Sequence, residues 1–207
     1  MEKSDLTKLY KSYYSATETP KIVTFEKTQY LAILGKGDPS LKGFSDAIEA
    51  LYATAYAIKF IYKALKNDFV VPKLEGLWWY DETLYKDLTI DEAPQKVKRS
   101  EWEYRLMIRM PDFVTAEVIE QVVANTAAKK LIPEVKDIHL FFLEEGKCVQ
   151  ALHVGPFNKE PETLNRINDF ILANNLSRNG LHHEIYLSDF RKTSPDKLKT
   201  ILREPVK

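Results

Sequence analysis

Gly180-Leu181-His182-His183-Glu184-Ile185-Tyr186-Leu187-Ser188-Asp189 alternates between two kinds of residue. The period of two predicts a strand, with Ile185 and Leu187 on one face and His182, Glu184 and Tyr186 on the other. A carboxylate in mid-strand, among aromatic residues, loses solvation. Glu184 must therefore find a partner, shift its pKa or serve a ligand. The plain alternative is a strand whose polar face is wet.

Working outward, the same order of elements occurs twice. In the first half, a strand at Tyr30–Gly35 leads through Gly35-Lys36-Gly37-Asp38-Pro39 to a helix at Leu41–Lys66, with Ser40 as its N-cap. Strands follow at Leu74–Asp81 and Trp102–Met110, separated by a charged loop with Pro94. In the second half, a strand at Cys148–Val154 ends at Gly155-Pro156, and a helix follows at Glu160–Asn174. Strands come next at His182–Ser188 and Thr200–Arg203. Gly76-Leu77-Trp78-Trp79-Tyr80 matches Gly180-Leu181-His182-His183-Glu184, and Arg109-Met110-Pro111 matches Arg203-Glu204-Pro205. A helix at Thr115–Lys130 and a strand at Ile138–Glu144 join the halves.

The expected fold is α+β. Duplicated strand-helix-strand-strand (SHS2-like) modules, about 22–111 and 137–207, form a single domain with one antiparallel sheet. Helices lie on one face and a ligand cleft on the other. Ile185 and Leu187 then face the helices, while His182, Glu184 and Tyr186 face the cleft. By the repeat, Trp78 and Tyr80 face it from the other half, although a one-residue bulge would exchange Trp78 for Trp79. Tyr52 and Tyr56 share one helix face, overhanging the cleft or buried in the core. Trp102 shares a strand face with Tyr104, Leu106 and Ile108, which suits core as well as cleft.

Composition narrows the function classes. The 207 residues carry 30 Lys plus Arg and 30 Asp plus Glu, so the basic excess of a general nucleic-acid binder is missing. The single cysteine, Cys148, excludes an internal disulfide and flanks an apolar strand, as a small core residue does. Residues 1–20 lack the apolar run of a signal peptide. The apolar stretch from Ala47 to Leu65 is broken by Glu49, Lys59 and Lys63, so no membrane span and a cytoplasmic location are expected. The Gly35 run has neither the Rossmann nor the Walker spacing. His139, His153, His182 and His183 form no metal signature, and adjacent strand histidines point apart. Neither a metal nor a cofactor is expected. An acid among aromatic rings suits stacking and cation–π capture of flat molecules, and equally a general base in a dry pocket.

Four segments carry a resemblance to stand-alone GyrI-like proteins: Ile33–Pro39, Glu75–Tyr80, Tyr104–Arg109 and Gly180–Asp189. They occur in the family's order across nearly the whole chain. Phe190 departs from the pattern, which has Pro after the Ser-Asp pair. The resemblance implies that Glu184 is the pocket acid. It also implies either of two activities. The first is hydrolysis of activated, cyclopropane-bearing genotoxins, with Glu184 activating water, Tyr186, His182 or Tyr80 polarising the carbonyl, and Trp78, Tyr52, Tyr56 and Trp102 stacking. The second is a non-catalytic module that sequesters or senses cationic drugs. The partner in both is a small aromatic ligand. Twenty residues are too few for the helix-turn-helix that some members carry, so no direct nucleic-acid binding is expected. Nothing in the sequence locates a surface for gyrase, which other members inhibit.

Overall fold

The computed structural model describes residues 3–128 and 132–207. The strands are β1 (Lys21–Phe25), β2 (Thr28–Lys36), β3 (Leu74–Trp79), β4 (Glu103–Arg109), β5 (His139–Leu143), β6 (Gly146–Val154), β7 (His182–Tyr186) and β8 (Lys199–Pro205). They form one antiparallel sheet in the order β1-β6-β8-β7-β3-β4-β2-β5. The helices are α1 (Leu6–Leu9), α2 (Lys42–Ala64), α3 (Ala93–Lys96), α4 (Ala116–Ala127) and α5 (Glu160–Ala173). The expected α+β class with a single antiparallel sheet is thus observed. The Lys130 end expected for the connecting helix lies outside the described residues.

The sheet order reads alike from either edge. The seam between β3 and β7 is its centre, with Gly76 opposite Glu184 and Trp78 opposite His182. The outer strands cross over. β1 precedes β2 in the chain but pairs with β6, and β5 precedes β6 but pairs with β2. Each half of the sheet therefore takes its edge strand from the other stretch of chain, which ties the halves together at both rims.

Side-chain alternation sorts the core. On the front face, Leu31, Ile33, Leu106 and Ile108 pack beneath α2. Val149, Ala151 and Leu202 pack beneath α5 with Leu164 and Ile167. On the back face, Ile185 and Ile201 are covered by the N-terminal segment through Leu6, Tyr13 and Tyr14. Ile185 and Leu187 therefore do not face the helices. They pack against that segment, and His182, Glu184 and Tyr186 look out on the helix-bearing side. The ligand cleft correspondingly lies between the helices and not on the opposite face. The reason is physical. Both faces of β7 are covered, and alternation separates the faces without saying which cover lies over each.

Local capping also differs from expectation. Ser40 does not cap α2: its hydroxyl turns back to Asp38 at 2.8 Å, and Leu41 holds the cap position. α2 is not long and apolar enough to cross a membrane, nor is any other helix among the described residues.

Candidate functional site

The helices α2 and α5 straddle the seam and leave a cavity of about 610 Å³ above it. Its floor is Trp78 from β3 with His182, Glu184 and Tyr186 from β7. Phe44 on α2 and Glu160, Pro161 and Leu164 on α5 form the walls. The segment between β3 and β4 crosses from the first half to roof it, contributing Ile90, Pro94 and Arg99. Ile90 is 6% exposed and packs with Leu164 in the second half's core, so the roof is anchored at its far side.

Gly76 makes the floor possible. A Cβ there would lie 3.0 Å from Trp78 Nε1 and 3.1 Å from Tyr186 Oη. Without one, those two atoms meet above the strand, and the indole N–H donates to Tyr186 Oη at 3.1 Å. Burial, together with the neighbouring Glu184 carboxylate, pushes the Tyr186 hydroxyl well above the tyrosine range. Tyr186 therefore keeps its proton.

The charged groups form a chain. Arg178 donates Nε–H to Glu204 at 3.2 Å. Glu204 accepts from His182 Nδ1, and His182 Nε2 lies 3.4 Å from Glu184. Burial alone would lower the His182 pKa, but Glu204 and Glu184 outweigh it and raise it to about 10. His182 is an imidazolium at neutral pH. It bridges two carboxylates, one of which opens into the cavity.

A second carboxyl faces the same space. Glu160, the first residue of α5, is 7% exposed and its Oε1 has no hydrogen-bond partner. Burial, reinforced by Glu184, drives its pKa well above the carboxylate range, against a smaller opposing pull from His182. The helix N-terminus favours an anion by about 0.3–1 kcal/mol, too little to offset desolvation of a buried carboxylate. Glu160 is neutral.

The expected residues divide accordingly. Glu184, Tyr186, His182, Trp78, Tyr80 and Trp102 meet at the cavity. Trp78 and Trp102 stand edge to face at 6.3 Å, as do Tyr80 and Trp102 at 5.2 Å. Trp78 is the floor tryptophan, stacked on Phe44 at 5.8 Å, whereas Trp79 turns its indole N–H to Glu103. Tyr52 and Tyr56 are not in the lining. The cavity sits at the N-terminal end of α2, beside Phe44, and these tyrosines lie two and three turns farther along. Tyr56 is 47% exposed, and Arg191 lies over Tyr52. Sequence reasoning missed Glu160, Glu204 and Arg178. Glu160 followed by Pro161 reads only as a helix start, where acids are ordinary.

An aromatic-lined cavity over the central seam of a duplicated-looking sheet defines a class, and the sequence places the chain in it. The profile of the GyrI-like small-molecule-binding domain matches residues 18–207, and this protein belongs to that family. A solved Listeria innocua structure, described as an uncharacterized conserved protein, is 36% identical over 99% of this chain and all of its own, with a TM-score of 0.87. A Listeria innocua hydrolase is 36% identical over 99% of this chain and all of its own, with a TM-score of 0.84. The EcmrR C-terminal domain, 10% identical over 91% of this chain and 96% of its own with a TM-score of 0.54, shares the fold alone. Comparison with curated proteins gives no match.

Proposed function

We propose that this protein binds flat, neutral aromatic xenobiotics above the β3–β7 seam and hydrolyses those that carry an activated cyclopropane. The observation that carries the reading is charge balance. Glu184 and Glu204 are offset by His182 and Arg178, and burial pushes the Glu160 carboxyl toward its neutral form. At the roof, Arg99 is paired with Asp38 at 2.8 Å. A trap for cations needs an uncompensated acid, and the buried part of this cavity has none. The 35% and 36% identical Listeria innocua hydrolases support turnover over sequestration.

In this reading the rings of Trp78, Tyr80 and Trp102 stack on the ligand and exclude bulk water. Glu184 takes a proton from water as the oxygen attacks the strained ring. His182 holds the carboxylate in position, with Tyr186 beside it. The test is incubation of wild type and Glu184→Gln with a neutral cyclopropane-containing DNA alkylator in water enriched in heavy oxygen. A labelled, ring-opened product is expected from wild type, with the variant at least about a hundredfold slower. Tight binding without product would make the cavity a sequestering site. Full turnover by Glu184→Gln would remove Glu184 as the base.

A further inference from the structure

Glu160 and Glu184 are two carboxyl groups facing one cavity, and the reading above uses only Glu184. We propose that Glu160 is the proton donor of the site: it protonates the ligand oxygen that receives the electron pair of the broken bond, while Glu184 takes a proton from the attacking water. This rests on the hydrolase reading and adds a second catalytic residue to it.

The geometry is that of an acid awaiting an acceptor. Glu160 is 7% exposed, lines the cavity opposite the β7 floor, and leaves Oε1 without any protein partner. A buried polar atom left unpaired costs about 1–3 kcal/mol, so its persistence at a cavity wall points to a partner supplied by the ligand. The groups facing it are Glu184, His182 and Tyr186, all on β7. His182 is committed to Glu204 and Glu184, and Tyr186 Oη accepts the Trp78 indole N–H. Of these buried groups, Glu160 is the one with a carboxyl oxygen left without a protein partner.

The step balances. A bond forms between water oxygen and a ring carbon, and one cyclopropane C–C bond breaks. The electron pair passes through the conjugated system to the carbonyl oxygen, which takes the proton of Glu160 and becomes a phenol. Glu184 now holds the proton from water. Its return to Glu160 restores the pair, and the sum is substrate plus water giving a ring-opened alcohol. Glu184 lies beside the His182 ring whereas Glu160 has an unpartnered oxygen, and paired carboxyls in such different environments are how an acid and a base come to work together. The ligand class narrows accordingly to neutral molecules whose strained ring is conjugated to a hydrogen-bond-accepting oxygen.

Two readouts test this on the intact protein. The first needs no turnover. The infrared spectrum of wild type at neutral pH should contain the C=O stretch of a neutral carboxylic acid, lost in Glu160→Gln and retained in Glu184→Gln. The second is the single-turnover rate with the neutral alkylator across pH. Glu160→Gln should bind the intact substrate, react about a hundredfold more slowly and lose the fall in rate at alkaline pH. Glu160→Asp, which keeps an acid, should retain that alkaline fall. A wild type without the acid band, or a Glu160→Gln variant with the wild-type rate and pH profile, overturns the role of Glu160 alone. Absence of ring-opened product from wild type refutes the hydrolase reading itself, and with it the catalytic role.

Discussion

His182 offers a quantitative test of the site's electrostatics. Its imidazole lies between Glu204 and Glu184, with a pKa raised from 6.5 to about 10. A base with a raised folded pKa contributes its full stabilisation below the unfolded value and loses it as pH climbs through the folded value. For these two values the contribution is about 4 kcal/mol at pH 7 and about 1–2 kcal/mol at pH 9, a loss of about 2–3 kcal/mol over that interval. Removing one member of a buried ion pair costs about 3–5 kcal/mol, a range that contains the neutral-pH figure. The perturbation is His182→Gln, and the assay is urea unfolding of both proteins at pH 7 and pH 9. Other titrating groups act on both proteins, so the wild-type-minus-variant difference isolates this one. That difference should shrink by about 2–3 kcal/mol between the two conditions. Carbon-detected NMR of the imidazole should show His182 still charged where an ordinary histidine has lost its proton. A constant difference across pH, or titration of His182 near 6.5, would refute the ion-pair chain and the charge balance argued from it.

Gly76→Ala places a methyl group 3.0 Å from Trp78 Nε1 and 3.1 Å from Tyr186 Oη. It should separate the pair, cost about 1–3 kcal/mol in thermal or urea unfolding and shift the tryptophan emission. Trp102→Ala removes a ring standing edge to face with both Trp78 and Tyr80, and should weaken calorimetric binding of a flat neutral ligand by about 1 kcal/mol or more. Tyr56→Ala lies outside the lining and should leave that affinity unchanged.

The divide between legible and illegible features follows the physics of each signal. Period-two alternation located seven of the eight strands, and it grouped Trp78, His182, Glu184 and Tyr186 correctly, because the pleat enforces that period. β1 escaped because Lys21-Ile22-Val23-Thr24-Phe25, though rich in strand-forming residues, is a five-residue edge strand with no buried residue and no regular apolar–polar alternation. The cover of the back face escaped for a related reason. Residues 3–20 are mostly polar, yet Tyr13 and Tyr14 insert under them, and Tyr13 lies against the guanidinium groups of Arg109 and Arg203. Tyr52 and Tyr56 were misplaced because i,i+4 spacing fixes a helix face but not which end of the helix a cavity adjoins.

The back face also explains how β7 keeps its register. Ile185 and Tyr186 are both buried, on opposite faces, so hydrophobicity alone does not oppose a one-residue slip of the strand. The polar neighbours do. His183, fully buried between His182 and Glu184 in the chain, donates Nδ1–H to Glu145 at 2.8 Å and Nε2–H to Glu75 at 3.0 Å on the back face. Glu145 also accepts from Arg203 at 2.7 Å, and Tyr13 donates to Glu75. Burial lowers the His183 pKa, but Glu145 and Glu75 outweigh it and leave it raised. The buried set thus sets two acids, Glu75 and Glu145, against Arg203 and a histidine whose pKa is raised. A slip by one residue would put Glu184 in the place of His183. Three carboxylates would then face one arginine in a dry interior, and the cavity would lose its acid. Adjacent residues with opposite electrostatic demands, His183 toward acids behind and Glu184 toward an imidazolium in front, pin the strand from both sides. The position of the candidate base is thus set by the charges on the face that the ligand never meets.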